Sequence, residues 1–473
     1  METQNWLIKQ AQTQPDQVAV DDGTTRLTFA QLYQRVQSLA GKLATLQPGQ
    51  RVGILGDNSL MTYELALAIL TSGKTIVWLN WRLADEELDR QIADSDLQVC
   101  LVADHLWREG FDHRFTSYHD FTRLTGQVMQ LVANFDDDQV ASIMYTSGTT
   151  GQAKGVLQTF GNHFYSAVSS ALNLGLSTHD EWLCVAPIFH ISGFSIVMRG
   201  LIYGMTVRLV NKFQPAEITA ILVHEPITII SVVPFMLKKL LAEQQRTGQH
   251  YQSAFRCMLL GGGTIDRATL LACQQAQIPV VQCYGMTETC SQVIALRAQD
   301  ALTKIGSVGQ PLFTTQLKLD LQGQILLKTP ALTPGYLNQP TKLPGKLIDG
   351  WYQTGDVGHL DADGYLYIDG RQDEMLISGG ENIFPQEVEQ VYQRYPGISE
   401  VAVVGQADSQ WGEVPVAFVV AKTVDPKELI AYGYQHLAHY KVPRRYIKVD
   451  HLPKNASGKI QRYQLRERLL TER

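Results

Sequence analysis

The most informative stretch of the sequence for the fold is Tyr145-Thr-Ser-Gly-Thr-Thr-Gly-Gln-Ala-Lys-Gly155. Apolar residues 140–144 precede it and Val156-Leu157 follow, so the pattern predicts a Gly/Ser/Thr loop between two strands. Glycines let backbone N–H groups converge on an anion, hydroxyls add donors, and Lys154 adds a positive charge. The stretch therefore predicts a polyphosphate-binding loop, with a polar surface turn as the alternative. A P-loop NTPase is disfavoured, because Lys154 follows Ala153 and precedes Gly155 instead of fitting the Walker A spacing.

Strand-like and helix-like segments alternate around this loop. Strands are predicted at 51–55, 75–79, 99–103, 227–233, 257–260 and 279–283, with helices at 59–70, 84–93 and 234–244. Short β-rich runs separated by amphipathic helices predict mostly parallel sheets covered by helices, an α/β fold. A β-rich part begins near residue 315. The sequence predicts a large N-terminal domain over 1–370, a hinge at 371–373 and a small, mobile α+β C-terminal domain over 374–473.

Composition narrows the class of protein. The 473 residues are 45% hydrophobic and 18% charged, which excludes a disordered chain, a collagen-like protein and a disulfide scaffold. Forty Lys and Arg against 46 Asp and Glu give a net charge of −6, which disfavours binding to nucleic acid. None of the six cysteines forms a C-x-x-C pair, and neither a signal peptide nor a membrane-length apolar run is visible. We expect a cytoplasmic protein without stable membrane association, and the oligomeric state stays open.

The loop resembles the signature loop of the adenylate-forming superfamily, which contains acyl-CoA synthetases, luciferases and peptide-synthetase adenylation domains. That loop usually has proline where this chain has Ala153. The segment Gln282-Cys-Tyr-Gly-Met-Thr-Glu-Thr289 resembles the second nucleotide segment of the same superfamily. The resemblance implies that Tyr284 stacks on adenine, Thr287 bonds the α-phosphate and Glu288 holds Mg²⁺. The ATP-binding residues that it implies are Thr146, Ser147, Gly148, Thr149, Thr150, Gly151, Lys154, Gly262, Gly263, Tyr284, Gly285, Met286, Thr287, Asp356 and Arg371.

Three further segments of the chain match the superfamily in order. Tyr352-Gln-Thr-Gly-Asp356 resembles the ribose segment, and a carboxylate such as Asp356 can accept both ribose hydroxyls. Asp369-Gly-Arg-Gln-Asp373 resembles the interdomain hinge, although Glu374 departs from the usual aspartate. Leu452-Pro-Lys-Asn-Ala-Ser-Gly-Lys-Ile-Gln-Arg462 resembles the segment with the catalytic lysine, which falls on Lys459. Outside that motif, Lys459 would be read as a solvated lysine.

The resemblance implies a two-step reaction with ATP, Mg²⁺ and CoA. A carboxylate attacks the α-phosphate of ATP, and the ammonium group of Lys459 neutralises the negative charge that develops, while Thr287 bonds the α-phosphate and Glu288 holds Mg²⁺. The small domain then rotates about Asp373, and a loop with Gly379 and Gly380 lines a thiol tunnel. A thiol attacks the acyl-adenylate and AMP leaves. A non-catalytic nucleotide-binding module is disfavoured, because Lys459, Glu288 and Asp356 are all retained.

The sequence says least about which carboxylic acid is the substrate of this reaction. The run Ala186-Pro-Ile-Phe-His-Ile-Ser-Gly-Phe-Ser-Ile-Val-Met-Arg199 resembles the acyl pocket of o-succinylbenzoate–CoA ligases of menaquinone biosynthesis. It implies an acid site made by His190, Ser192, Gly193, Gly261 and Ser291. The acid's second carboxylate needs a partner; Arg199 could pair with it, but at helical spacing from Ser192 it can also point elsewhere. His190 can equally be a core histidine. Another aryl- or fatty-acyl-CoA ligase, or an enzyme that loads a carrier protein, remains the alternative.

Overall fold

The computed structural model describes residues 2–147, 153–263, 265–423, 425–454 and 460–471. Two compact units share the chain: the first holds Met1–Leu317, Leu327–Trp351 and Ala362–Tyr365, and the second holds Lys318–Leu326, Tyr352–Asp361 and Leu366–Arg473. The chain therefore crosses between the units several times before residue 366. The hinge and boundary expected at 371–374 stay a prediction.

The first 311 residues form 17 strands and 10 α-helices among the described residues. They are β1 (Glu2–Gln4), α1 (Trp6–Thr13), β2 (Val18–Asp21), β3 (Arg26–Thr28), α2 (Phe29–Thr45), β4 (Arg51–Leu55), α3 (Leu60–Thr71), β5 (Thr75–Trp78), α4 (Asp85–Asp94), β6 (Cys100–Val102), β7 (Phe115–Ser117), α5 (Tyr118–Arg123), β8 (Asn134–Asp136), β9 (Val140–Ser147), β10 (Ala153–Thr159), α6 (Phe160–Leu174), β11 (Glu181–Cys184), α7 (Ile191–Tyr203), β12 (Thr206–Leu209), α8 (Pro215–His224), β13 (Ile229–Val232), α9 (Pro234–Thr247), β14 (Cys257–Leu260), α10 (Arg267–Gln275), β15 (Val280–Met286), β16 (Ser291–Leu296) and β17 (Ser307–Pro311).

A six-stranded sheet carries the Gly/Ser/Thr loop. Its order is β10-β9-β5-β4-β6-β7, and every neighbouring pair is parallel except β9 with β10. The antiparallel pair sets Lys154 opposite Thr146 and Val156 opposite Met144. The predicted strand–loop–strand arrangement is confirmed, and it differs from the strand–loop–helix of a P-loop NTPase. The loop positions Gly148, Thr149, Thr150 and Gly151 lie outside the described residues.

A second sheet in the first unit has the order β3-β2-β12-β11-β13-β14-β15-β16-β17. The strands from β2 through β15 are parallel, and the outer pairs are antiparallel. Most parallel strands are buried along their whole length because apolar side chains fill both faces. Since the carboxyl ends of parallel neighbours meet at one sheet edge, the segments after β11, β14 and β15 lie together.

The rest of the chain is richer in strands. Its elements are β18 (Gln316–Leu319), β19 (Gln324–Lys328), β20 (Leu347–Ile348), β21 (Trp351–Leu360), β22 (Leu366–Arg371), β23 (Leu376–Ser378), β24 (Glu381–Ile383), α11 (Pro385–Tyr392), β25 (Ile398–Asp408), β26 (Gly412–Ala421), α12 (Pro426–His436), β27 (Arg445–Lys448) and α13 (Arg462–Thr471). A five-stranded sheet (β24-β23-β26-β25, with β27 beside β26) forms the C-terminal part of the second unit. Helices α11 and α13 pack on this sheet, and α12 packs against α11.

The predicted α/β fold with a smaller C-terminal domain is confirmed. The predicted strand 257–260 coincides with β14, and the strand expected at 51–55 coincides with β4. The sequence also predicts a helix from Pro426 to Tyr440, but α12 ends earlier, at His436, because Leu437 is already extended. No helix among the described residues is both long and apolar enough to cross a membrane.

Candidate functional site

Three segments of the first unit meet around the strand that follows the Gly/Ser/Thr loop. The Gln158 side chain on β10 donates from Nε2 to the carbonyl oxygen of Thr287 at 3.0 Å. The backbone N–H of Thr333 donates to the carbonyl oxygen of Glu288 at 2.7 Å. These bonds fix the Thr287–Thr289 turn against the strand that carries Lys154. The structure thus brings two sequence-predicted residues, Lys154 and Glu288, into one neighbourhood.

Glu288 is held by a tyrosine that the sequence analysis did not single out. The hydroxyl of Tyr336 donates to Oε1 of Glu288 at 2.9 Å. Among the described residues, no three His, Cys, Asp or Glu side chains group into a metal site. Mg²⁺ commonly binds to one or two carboxylates plus the phosphates of a nucleotide, so one oriented carboxylate fits that ion. No short-range signal identified Tyr336, because it lies 48 residues from Glu288.

A strained turn shapes the second nucleotide segment. Cys290 and Ser291 have φ angles of +50° and +108°, which non-glycine residues rarely adopt. Thr289 supports the turn: its hydroxyl accepts from the N–H of Met286 at 3.0 Å. Gly285 is required here, because a Cβ atom would lie 2.0 Å from the carbonyl oxygen of Ser291. The turn therefore sets the directions of Thr287, Glu288 and Ser291. Tyr284 is half-buried on β15 before the turn.

The glycine run after β14 leaves backbone accessible at the same sheet edge. Gly262 and Gly263 are exposed, and Gly262 has a φ of +78°. A Cβ on Gly261 would lie 3.2 Å from the sulfur of Cys283, and a Cβ on Gly263 would lie 3.2 Å from Cγ of Pro234. A flat base or acyl group can approach this backbone closely because no side chains cover it.

The ribose residues come together within the second unit. Strands β21 and β22 pair Asp356 with Arg371, and Nη1 of Arg371 donates to Oδ1 of Asp356 at 3.2 Å. Asp356 is buried, and its N–H donates to the Thr354 hydroxyl at 3.0 Å. Arg371 also donates from Nε to Asp373 at 3.2 Å. The predicted ribose carboxylate and the predicted hinge aspartate therefore share one guanidinium.

The predicted catalytic residue Lys459 lies outside the described residues, but the base of its segment is described. Lys454 and Ile460 form an isolated antiparallel bridge, and the N–H of Gln461 donates to the carbonyl oxygen of Pro453 at 2.8 Å. The next residue, Arg462, is half-buried and pairs with two carboxylates, Glu374 at 2.8 Å and Glu389 at 2.7 Å. The segment with Lys459 therefore starts and ends at a fixed base within the second unit.

The expected thiol-tunnel loop is a tight glycine turn between β23 and β24. Gly379 and Gly380 have φ angles of +60° and +89°, so both positions favour glycine. The N–H of Gly379 donates to the carbonyl oxygen of Trp411 at 2.8 Å. A Cβ on Gly379 would meet the Trp411 ring at 2.8 Å, whereas a Cβ on Gly380 would meet nothing within 4 Å.

Three of the expected acid residues, His190, Ser192 and Gly193, lie at the start of α7. His190 is the residue before the helix, and burial, with the nearby charge of Arg82, lowers its pKa to about 4. Its Nε2 is buried without a hydrogen-bond partner among the described residues. Gly193 is required, because a Cβ would lie 2.4 Å from the carbonyl oxygen of Pro187. Ser192 is exposed. His190 is therefore a neutral histidine with an unmatched ring nitrogen.

Arg199, which the sequence left open, is a buried cation on the inner face of α7. It is 2% exposed, and its Nε and Nη2 have no hydrogen-bond partner within the described part of the chain. The guanidinium carbon lies 5.3 Å from the ring centre of Trp182. Its charge influences Cys283, which lies within the second nucleotide segment, and Cys290, which directly follows that segment. Burial lowers the pKa of Arg199, so a buried anion there would be stabilised.

A histidine near Arg199, His163, makes the stability of the folded protein depend on pH. Burial, followed by the charge of Arg199, lowers the pKa of His163 to about 3, and its Nε2 lies 2.9 Å from the Ser142 hydroxyl. The unfolded chain therefore binds the proton first. The contribution of His163 to stability is therefore fully present above about pH 6.5. Below that pH, the free energy of unfolding falls by about 1.4 kcal/mol per pH unit. We expect His163→Gln to reduce this dependence in thermal unfolding between pH 7 and 5. Parallel pH curves for both proteins would contradict the assignment.

Comparison with known proteins agrees with this geometry. The family of AMP-binding enzymes matches residues 7–337, and the AMP-binding enzyme C-terminal domain matches residues 387–459. A 2-succinylbenzoate–CoA ligase from Listeria innocua is 44% identical over 470 residues, which cover 98% of this chain and 99% of the relative. The solved o-succinylbenzoate CoA synthetase (MenE) from Bacillus subtilis, in complex with the acyl-adenylate intermediate OSB-AMP, superposes with a TM-score of 0.94 at 37% identity, covering 98% of each chain.

A second structure of the Bacillus subtilis synthetase holds ATP and a magnesium ion. It gives a TM-score of 0.92 at 36% identity and covers 98% of this chain and 100% of that chain. The matches extend over both units, and the superfamily resemblance stated from the motifs is confirmed. The chain belongs to the AMP-binding enzyme family, among relatives that are 2-succinylbenzoate–CoA ligases.

Proposed function

We propose that the protein is an ATP-dependent acid–CoA ligase that activates 2-succinylbenzoate in menaquinone biosynthesis. The acid and ATP give 2-succinylbenzoyl-AMP and pyrophosphate, and CoA then gives 2-succinylbenzoyl-CoA and AMP. The observation that carries the choice of acid is the buried Arg199, which has two unpartnered donors beside the nucleotide segment. A monocarboxylic fatty acid has no second carboxylate that could pair with that cation while the first is activated.

The two carboxylates of the substrate have different roles in this proposal. The aliphatic carboxylate oxygen attacks the α-phosphorus, and the bond to pyrophosphate breaks. The ring carboxylate stays ionised and pairs with Arg199, which relieves the cost of two buried charges at once. The neutral His190 ring lies at the start of the same helix, where its Nε2 can bond the acyl group.

The remaining residues of the proposal act on the nucleotide. Mg²⁺, when bound with ATP, screens the phosphate charge and polarises the leaving group. Glu288, oriented by Tyr336, is the residue that would hold the ion. Asp356 and Arg371 would bind the ribose, and Lys459 neutralises charge on the pentacoordinate phosphorus. In the second step the CoA sulfur attacks the acyl carbon, AMP leaves and the thiol proton goes to solvent.

Replacing His190 tests the acyl site. We expect His190→Ala to raise the KM for the acid or lower kcat by about tenfold, because one buried donor or acceptor toward the acyl group is lost. The Kd of ATP, measured without acid, should stay at the wild-type value. Equal losses for acid and ATP would instead assign His190 to the packing of the core.

An acid panel tests the proposed substrate. The protein is incubated with ATP, Mg²⁺ and CoA and with 2-succinylbenzoate, benzoates or medium-chain fatty acids, and acyl-CoA is detected by mass. We expect 2-succinylbenzoate to be turned over with the highest kcat/KM. Turnover of fatty acids without turnover of 2-succinylbenzoate would overturn the acid while leaving the ligase chemistry in place.

We also propose that the enzyme works in the cytoplasm and binds neither nucleic acid nor membranes stably. All six cysteines are free thiols and five of them are buried, which suits a reducing compartment. A hinge at Asp373 and a mobile C-terminal domain from residue 374 belong to the same proposal.

A further inference from the structure

A second lysine lies beside the phosphate loop on a segment that the motifs do not include. This segment, residues 336–342, is hydrogen-bonded to β10 directly after Lys154. Tyr336 and Val156 form an antiparallel bridge, and the N–H of Leu337 donates to the carbonyl oxygen of Gly155 at 2.8 Å. Two successive turns follow, with N–H bonds from Gln339 to Tyr336 and from Lys342 to Gln339, both 3.1 Å. The turns return the chain toward the beginning of β10.

The ammonium group of Lys342 is held in place there by two groups of its own segment. Nζ donates to Oε1 of Gln339 at 2.7 Å and lies 5.9 Å from the ring centre of Tyr336. It is also close enough to Lys154 for the two side chains to interact directly. Burial, followed by the charges of Lys154 and Lys346, lowers the pKa of Lys342. Two ammonium groups therefore lie together, which costs free energy unless an anion binds between them.

Tyr336 connects this lysine pair to the carboxylate that would hold the metal. Its ring faces Lys342, and its hydroxyl donates to Oε1 of Glu288 at 2.9 Å. Positive charge and an oriented carboxylate thus lie on either side of one aromatic side chain. A magnesium-bound polyphosphate carries the complementary pattern, because its oxygens bind both the cation and lysine ammonium groups.

We propose that Lys342, together with Lys154, binds the β- and γ-phosphates of ATP and then the pyrophosphate that leaves. This inference rests on the proposed function, because it assumes that pyrophosphate is the leaving group of the adenylation step and places it beside Lys154 and Lys342. Lys342 belongs to none of the motifs that relate the chain to its superfamily. Lys342 adds a second positive charge to a phosphate site where the loop supplies a single lysine, Lys154. AMP lacks the β- and γ-phosphates and therefore does not contact Lys342.

Equilibrium binding of nucleotides tests the lysine pair without turnover. The Kd values of ATP with Mg²⁺ and of AMP are measured without acid for wild type, Lys342→Met, Lys342→Arg and Lys212→Met. Lys212 is an exposed lysine after β12 and serves as the matched control. We expect Lys342→Met to weaken ATP by about tenfold and AMP by less than about twofold, because one charge-assisted bond to a phosphate is lost. Lys342→Arg should recover most of the ATP affinity, and Lys212→Met should change neither Kd.

The outcomes separate this inference from the proposed function. Unchanged ATP affinity in Lys342→Met overturns the lysine pair while leaving the ligase assignment intact. Equal weakening of ATP and AMP also overturns it, because the lysine would then act through the fold of the site. Failure of the wild-type protein to bind ATP would overturn both.

Discussion

Replacement of Lys459 by alanine is expected to lower the rate of acyl-adenylate formation by about 10²- to 10³-fold. The attacking carboxylate and the α-phosphate are both anionic, so the pentacoordinate transition state gathers negative charge that a neutral side chain cannot offset. Release of pyrophosphate in the presence of ATP, Mg²⁺ and 2-succinylbenzoate, but without CoA, measures this step.

The same variant should keep the second half-reaction. Given preformed 2-succinylbenzoyl-AMP and CoA, Lys459→Ala should form the thioester within a few-fold of the wild-type rate. Lys427→Ala, an exposed lysine on α12, is the matched control and should leave both steps unchanged. Formation of acyl-AMP at the wild-type rate by Lys459→Ala would show that another group carries the charge of the transition state.

Replacement of Arg199 by methionine is expected to lower kcat/KM for 2-succinylbenzoate by about 100-fold. Without the guanidinium, the ring carboxylate would be buried unpaired, a loss of roughly 2–5 kcal/mol of binding. The Kd of ATP should stay unchanged, because the guanidinium bonds no part of the nucleotide in this account. If Arg199→Met turned over 2-succinylbenzoate with the wild-type kcat/KM, Arg199 would not be the partner of the ring carboxylate.

Stability without ligands gives the Arg199 prediction a second readout. Its Nε and Nη2 have no partner among the described residues, although the guanidinium also hydrogen-bonds Tyr203, so methionine should lower the free energy of unfolding by no more than about 1 kcal/mol. Arg208 is the matched control, since it is also buried but pairs with Glu225 at 2.7 Å. Arg208→Met should lower stability by about 3 kcal/mol and leave the acid KM unchanged. A large loss of stability in Arg199→Met would assign that residue to the core.

The parts of the fold that local sequence controls were predictable. The strands at 51–55 and 257–260 are short apolar runs between helices, and periodicity alone locates them. The loop before Ala153 was predicted between strands because apolar runs flank it on both sides. The resemblance to the superfamily implied that Asp356 and Arg371 both reach the ribose, and the structure pairs the two strands that carry them.

The rest depends on contacts between distant parts of the chain. Tyr336 reaches Glu288 across 48 residues, and a tyrosine in a loop has no signal of its own. The direction of Arg199 depends on how α7 packs against β11, where Trp182 lies beneath the guanidinium. The position of Arg462 between Glu374 and Glu389 likewise follows from packing within the second unit. Such partners are set by tertiary structure, which periodicity does not encode.

A single-turnover experiment tests whether the protein first forms 2-succinylbenzoyl-AMP from the acid and ATP and then transfers the acyl group to CoA. The enzyme is mixed with ATP, Mg²⁺ and 2-succinylbenzoate without CoA, and CoA is added after the first phase. We expect acid-dependent release of about one pyrophosphate per active site with enzyme-bound 2-succinylbenzoyl-AMP, followed on CoA addition by release of AMP and formation of 2-succinylbenzoyl-CoA. Release of ADP and phosphate, or a first phase that is the same without the acid, would contradict it.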